Sequence, residues 1–362
     1  MGNQDFRVLL IYSNSPMDNL MPVSVSSISG ALKRAGFQVQ LFDNTYYPGE
    51  QKSGDDERVA TLQIPAFNYE DVGISFKRTN PFDDLRELVE SYRPHLIGLS
   101  AVEPTYLLGI RFLEHVRDLG VPTIVGGVHT IFSPEDVFKE DVVDMICLGE
   151  AEECMVELCG KMAQGNDYTT VPNLWIKKDG REYRNPKSQV QELEGLPLLD
   201  FEMYEKERFY RPMAGKIYRM VPVEFSRGCI YKCTYCSAPG FDEVFKDQGR
   251  WLRDKPMKNI IDEMKLYISK YEVEYFYMVS ETFLAMAHKR FMEFVEGYKE
   301  IMVPFWFNTR PETITEENVR MLEEINCHRM SIGVEAGNEE YRKTMLKRPV
   351  SNAKTIRACQ IV

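Results

Sequence analysis

Short β-branched runs alternating with amphipathic stretches set the strongest limit on this chain, because that alternation builds a parallel sheet covered by helices. It occurs twice. In the first half, strands are expected over residues 7–12, 38–42, 96–100, 122–125 and 143–148, with helices over 25–35, 83–91, 107–119 and 152–162. This predicts a doubly wound α/β domain. The period breaks between 168 and 220, where Lys178-Asp179-Gly180 suggests a hairpin turn and Gly195-Leu196-Pro197 an irregular connection. The second alternation places strands at 222–226, 274–279, 304–308 and 329–334, and helices at 257–270, 288–301, 316–324 and 351–361. The expected division is therefore a first α/β domain over 1–165, a linker with a hairpin over 166–220, and a β/α barrel over 221–362 that stops after four units. Residues 47–78 are polar and follow neither period, so they read as a long insertion or mobile loop.

Length and composition bound the function. At 362 residues the chain exceeds one ordinary core. No apolar run reaches the roughly 18–20 residues that a membrane helix needs. A formal charge of −11 would repel a phosphate backbone, which disfavours a nucleic-acid partner. The opening MGNQDFRVLLIYS has no basic region followed by a signal-like apolar core, so a cytoplasmic setting is expected. Eight cysteines in such a chain suit thiols and metal ligands better than a disulfide framework. Five of them, Cys147, Cys154, Cys159, Cys327 and Cys359, stand in apolar or helical surroundings and are expected as small buried hydrophobes.

The other three stand in Ser226-Arg-Gly-Cys-Ile-Tyr-Lys-Cys-Thr-Tyr-Cys-Ser237, directly after a predicted strand. Cys229, Cys233 and Cys236 thus lie in one loop at C-x3-C-x2-C. Thiolates ligate iron–sulfur clusters, and a four-iron cube normally takes four, so three leave one iron open to a small chelating molecule. The alternative is zinc, whose structural sites want four closed ligands; only Cys327 or His328, folding back, could supply the fourth.

This loop, with Tyr235 just before the third cysteine, resembles the signature of the radical S-adenosylmethionine (SAM) superfamily. The resemblance implies a [4Fe–4S] cluster on Cys229, Cys233 and Cys236 whose open iron chelates SAM, and reductive cleavage of SAM to a 5′-deoxyadenosyl radical. It also implies an electron donor such as a flavodoxin or ferredoxin. Residues at the carboxyl ends of barrel strands are the ones to examine for further contacts. Glu281, in Met278-Val-Ser-Glu-Thr-Phe283, stands where the family holds the SAM amino group, without the usual glycines. Arg310 has the fork geometry that suits the SAM carboxylate, or an ordinary surface ion pair. Glu335, in Ser331-Ile-Gly-Val-Glu-Ala-Gly337, resembles a family stretch that meets the ribose or substrate, with Ala336 in place of the usual Ser. It could equally be a paired structural carboxylate.

Ligands of open α/β sheets lie outside the carboxyl ends of the strands. In the first half those ends are small: Ser13, Ser100, Gly126, Gly127, His129, Gly149 and Glu150 stand there. Residues 7–162 resemble the cobalamin-binding domain, a flavodoxin- or Rossmann-like fold, found ahead of many radical SAM barrels of the TIM type. Those seven residues are the expected cobalamin contacts. The Asp-x-His-x-x-Gly motif that supplies a cobalt ligand elsewhere is absent, and none of the five histidines (His95, His115, His129, His288, His328) has that context. A flavodoxin-like docking module without cofactor is the alternative.

Together the resemblances imply a cobalamin-dependent radical SAM enzyme acting on a small molecule, with methyl transfer to an unactivated carbon. SAM would methylate the reduced cobalamin, and a second SAM would give the radical that opens the substrate C–H bond. A cyclase or rearrangement enzyme is the second expectation. A non-catalytic metal-binding protein or an inactive fragment is the third.

Overall fold

The computed structural model describes residues 2–49 and 54–362. The chain divides into two units: residues 1–188 with 196–217, and residues 189–195 with 218–362.

The first unit is built on one sheet. Its strands are β1 (Arg7–Tyr12), β2 (Gln38–Asp43), β3 (Leu96–Ser100), β4 (Thr123–Gly126), β5 (Met145–Cys147), β6 (Leu174–Lys178) and β7 (Arg181–Arg184), in the order β2-β1-β3-β4-β5-β6-β7. The first five run parallel, with Leu10 opposite Leu41 on one side and Gly98 on the other. Both faces of such a sheet must be covered, which is why β1 reads as a continuous apolar run. Val8, Leu9, Leu10 and Ile11 are all buried, each contributing about 1.5–3 kcal/mol before entropy is charged against it. Alternation sends Leu9 and Ile11 into one core with Val89 and Phe112, and Val8 and Leu10 into the other with Val25, Leu32 and Leu158. Helices Pro81–Tyr92 and Glu103–His115 therefore cover one face, and Val23–Arg34 and Ala151–Gln164 the other.

Cys147, Cys154 and Cys159 are buried in this second core, as their surroundings predict. Two expectations about cysteine need correction. Cys359 is exposed, on the outer side of the helix Asn352–Ile361, and Cys327 is only half-buried, although burial pushes its thiol up to about 12.

The stretch read as a linker is ordered. Strand β6 extends the first sheet antiparallel to β5, with Ile176 opposite Met145, and β7 pairs antiparallel with β6. Residues 196–217 pack on the same unit: Asp200 accepts from Ser29 Oγ at 2.5 Å and pairs with Lys33 Nζ at 2.7 Å. Buried Arg208 pairs with Asp43 at 2.8 Å and donates to the carbonyls of Asp18 and Leu20. Of this stretch, 189–195 and 218–220 belong to the second unit. Within the expected insertion, residues 50–53 lie outside the described residues. The remainder forms a helix, Gly54–Ala60, and a turn at Tyr69–Val72. Ile74 closes a small core with Met17 and Tyr46.

The second sheet has the order β14-β13-β12-β9-β8, from β8 (Tyr210–Met213), β9 (Lys216–Glu224), β12 (Tyr275–Val279), β13 (Phe305–Thr309) and β14 (Cys327–Ile332). Here β9, β12, β13 and β14 are parallel, and helices Met257–Tyr271, His288–Tyr298 and Glu316–Glu324 join or follow them. Phe225, Phe283, Phe294, Phe305 and Phe307 form an aromatic core in edge and stacked contacts of 4.5–6.1 Å. This is a partial β/α barrel, as the four strand–helix repeats predict. The short antiparallel pair β10 (Ser226–Arg227) and β11 (Arg253–Asp254) encloses residues 228–252, which carry the three cysteines.

Candidate functional site

The cysteine loop leaves the carboxyl end of β9 and its backbone ends in a helix. Cys236 is the N-cap of the helix Ser237–Val244, and its Sγ accepts from the Ala238 N–H at 3.5 Å. A thiol at this position faces the positive end of the peptide dipoles, which favours thiolate; partial burial acts against this and leaves its pKa raised. Cys229 Sγ lies 3.8 Å from Thr282 Oγ1. Cys233, the most buried of the three, accepts from Arg310 Nη1 at 3.1 Å.

All three thiols line one cavity of about 360 Å³ at the carboxyl ends of the strands, and Tyr235, Glu281, Arg310 and Glu335 line it with them. Strand ends bring together residues that the sequence separates by more than a hundred positions, as the β/α barrel rule expects. Among the described residues no three His, Cys, Asp or Glu side chains gather about a single ion position; the thiols are spread around the cavity. A cavity rimmed by three thiols, each beside a polar N–H or O–H group, fits a cluster that takes thiolate ligands and donors to sulfur.

The four expected SAM contacts differ in their freedom. Glu281 opens onto the cavity, yet the protein packed around its carboxyl raises its pKa above the ordinary range. Glu335 stands at φ +65°, with its Oε1 3.6 Å from Arg348 Nη1. Tyr235 is half exposed; its hydroxyl accepts from Arg348 Nη1 at 3.1 Å, and burial of the phenol lifts it to about 12. Arg310 departs from expectation. It is not a surface ion pair: its side chain is buried, and Glu312 and Cys233 engage its fork where it borders the cavity.

Sequence reasoning missed Tyr231, Thr282, Asn308, Ser331 and Arg348, all on the same cavity. Thr282, Asn308 and Ser331 were within reach of the strand-end rule. Arg348 was not, since it belongs to a loop beyond the helix Glu339–Thr344 and reaches Gly333 O at 2.6 Å.

In the first unit a separate, apolar cavity of about 50 Å³ opens at the carboxyl ends of β1, β3 and β4. Ser100, Gly126, Gly127 and Gly149 line it, as expected. So do Gly98, Val25, Ala151 and Met155, which the sequence did not single out. A Cβ on Gly98 would come 3.1 Å from Leu10 Cδ2 and 3.9 Å from Met155 Cε, so the missing side chain keeps this slot open. Ser13, His129 and Glu150 do not line it. Ser13 is buried nearby, and its hydroxyl has no partner among the described residues. His129 lies tilted against Tyr106, with centroids 4.3 Å apart, and Glu150 is the N-cap of the helix Ala151–Gln164. An apolar slot held open by glycines, beside a buried hydroxyl without a partner, suits one apolar arm of the cofactor that the resemblance implies, a molecule much larger than the slot itself.

Family models decide the family. The radical SAM superfamily model matches residues 223–362, and the B12-binding domain model matches residues 12–159. The chain carries a radical SAM domain and, ahead of it, a B12-binding domain. It is 22% identical to cytidylyl-2-hydroxyethylphosphonate methyltransferase of Streptomyces wedmorensis, over 92% of this chain and 65% of that protein. With the anaerobic magnesium-protoporphyrin IX monomethyl ester cyclase of Rubrivivax gelatinosus it shares 26% identity, over 83% of this chain and 54% of that one. Its fold matches that of the radical SAM methyltransferase TsrM of Kitasatospora setae, a structure with tryptophan substrate and a SAM analogue bound. The TM-score is 0.69 at 16% identity, covering 98% of this chain and 65% of that one. This B12-binding radical SAM chain thus spans about half to two-thirds of the length of these proteins.

Proposed function

We propose that this radical SAM protein uses a [4Fe–4S] cluster, SAM and cobalamin to transfer a methyl group to an unactivated carbon of a small molecule. The observation that carries the reading is the single cavity in which Cys229, Cys233 and Cys236 meet Glu281 and Glu335 at the strand ends. The glycine-lined slot of the B12-binding unit supports the cobalamin part.

When bound, the cluster and SAM supply a 5′-deoxyadenosyl radical and cobalamin supplies a methyl carrier. The chain's own residues do the placing. Three thiols hold the cluster, Thr282 and the Ala238 N–H donate to two of them, and Glu281 offers a carboxylate for the SAM amino group. Glu335 faces the ribose or the substrate, and Tyr235 closes the side of the cavity where Arg348 fixes its hydroxyl. Gly98, Ser100, Gly126, Gly127 and Gly149 would make room for cobalamin at the strand ends, and Ser13, His129 and Glu150 are further candidate contacts. An external one-electron donor of the flavodoxin or ferredoxin class would start the reaction.

Likeness to a named cyclase keeps a second reading open: radical ring closure without methyl transfer. The two are separated by products. The 362-residue chain, reconstituted anaerobically with iron, sulfide and hydroxocobalamin, is incubated with SAM and dithionite. Formation of S-adenosylhomocysteine together with 5′-deoxyadenosine is expected. Deoxyadenosine alone would favour cyclisation, and neither product would sink both.

A further inference from the structure

We propose that Arg310 positions and polarises the Cys233 thiolate and is not a partner of the SAM carboxylate. The proposal rests on the three cysteines being cluster ligands and adds a role that reading does not contain.

Arg310 borders the cavity, but most of its fork is already engaged. Its side chain is only 5% exposed. Glu312 Oε1 accepts from both Nε at 2.6 Å and Nη2 at 2.5 Å, and Nη1 points to Cys233 Sγ at 3.1 Å. The guanidinium plane lies over the Tyr231 ring, 3.6 Å from its centroid, a contact that adds cation–π attraction and shields the ion from water. Breaking this arrangement to reach a carboxylate would strip Glu312, whose Oε2 is already buried without a hydrogen-bond partner, of its counter-charge.

The three thiols are not equivalent. Cys229 meets a neutral hydroxyl at 3.8 Å and Cys236 a backbone N–H at 3.5 Å, whereas Cys233 receives the shortest contact, 3.1 Å, from a cation. Hydrogen bonds to sulfur and nearby charge are among the terms that set a cluster's reduction potential. Reduction adds negative charge, so a cationic donor at a ligand sulfur favours the reduced cluster and raises the potential. Glu312 acts in the opposite sense by neutralising part of that charge. Arg310 and Glu312 therefore form a charge pair whose two halves shift the potential in opposite directions.

The test uses the whole chain, reconstituted anaerobically, with the midpoint potential read by electron paramagnetic resonance in a reductive titration without SAM. SAM affinity is measured separately by equilibrium dialysis. Arg310→Gln should lower the reduction equilibrium by about tenfold, about 59 mV for one electron, with SAM affinity unchanged. Arg310→Lys should restore part of the loss, and Glu312→Gln should move the potential upward. An unchanged potential with weakened SAM binding in Arg310→Gln would return this side chain to the carboxylate and overturn the proposal. Where Arg310→Gln takes up no iron, Glu312→Gln decides: a rise supports the pair and no shift refutes it. A wild-type chain that holds no iron and sulfide is a separate failure, that of the cluster reading itself.

Discussion

Gly127 holds φ +102° and ψ −179°, a region essentially confined to glycine. A Cβ there would sit 2.5 Å from the Ala101 carbonyl oxygen. Gly127→Ala should therefore cost on the order of 1–3 kcal/mol, read as a lower urea midpoint; an unmoved midpoint would show that the turn relaxes freely. Gly98 makes a different prediction, because its importance is space. Gly98→Val should abolish retention of hydroxocobalamin after desalting and cost about 1–3 kcal/mol of stability by crowding Leu10, and full retention would mean that the slot is not the cofactor's. These two glycines also mark the limit of legibility. The Gly126-Gly127 pair at a strand end announces a special turn, whereas a lone glycine inside Leu-Ile-Gly-Leu-Ser reads only as a weakened strand. Arg310 was legible as a strand-end residue, but its contact with Cys233 was not, since that thiol lies 77 positions earlier and no local pattern links the two.

At the scale of elements, the parallel strands were legible because each is short, apolar and bounded by helical periodicity. The segment 196–217 was not. Its apolar residues follow neither period, and what orders it is buried side chains such as Leu199, Phe201 and Phe209 together with contacts distant in sequence, among them Arg208 with Asp43, Asp18 and Leu20. Arg208 is 1% exposed and Asp43 13%. The 2.8 Å approach of Nε to Oδ2 is an ion contact without hydrogen-bond alignment, so its strength comes from charge in a dry setting. Removing one partner of a buried pair leaves the other uncompensated, at a typical cost of about 3–5 kcal/mol. Arg208→Met should approach that cost in urea unfolding, and Arg208→Met with Asp43→Asn should recover part of it. A loss below about 1 kcal/mol, the range of surface pairs, would show the segment to be held by its apolar contacts instead.

Over the whole molecule, each unit owns a core and one of the two cavities, and the two family models fall one on each unit. Units with separate cores can hold their ligands independently. A chain with Cys229, Cys233 and Cys236 all changed to alanine should then bind no iron yet retain hydroxocobalamin as the wild type does. Ligand binding to a folded unit stabilises it in proportion to the logarithm of ligand excess, by about 2.7 kcal/mol at a hundredfold excess over Kd. Hydroxocobalamin should thus raise the unfolding transition of the B12-binding unit equally in wild type and triple variant, leaving any transition of the barrel unit in place. Equal shifts require that no part of the cobalamin site depend on a filled cluster site. If the triple variant loses cobalamin along with iron, the two sites are coupled, and the cysteine loop must also help to order the B12-binding unit.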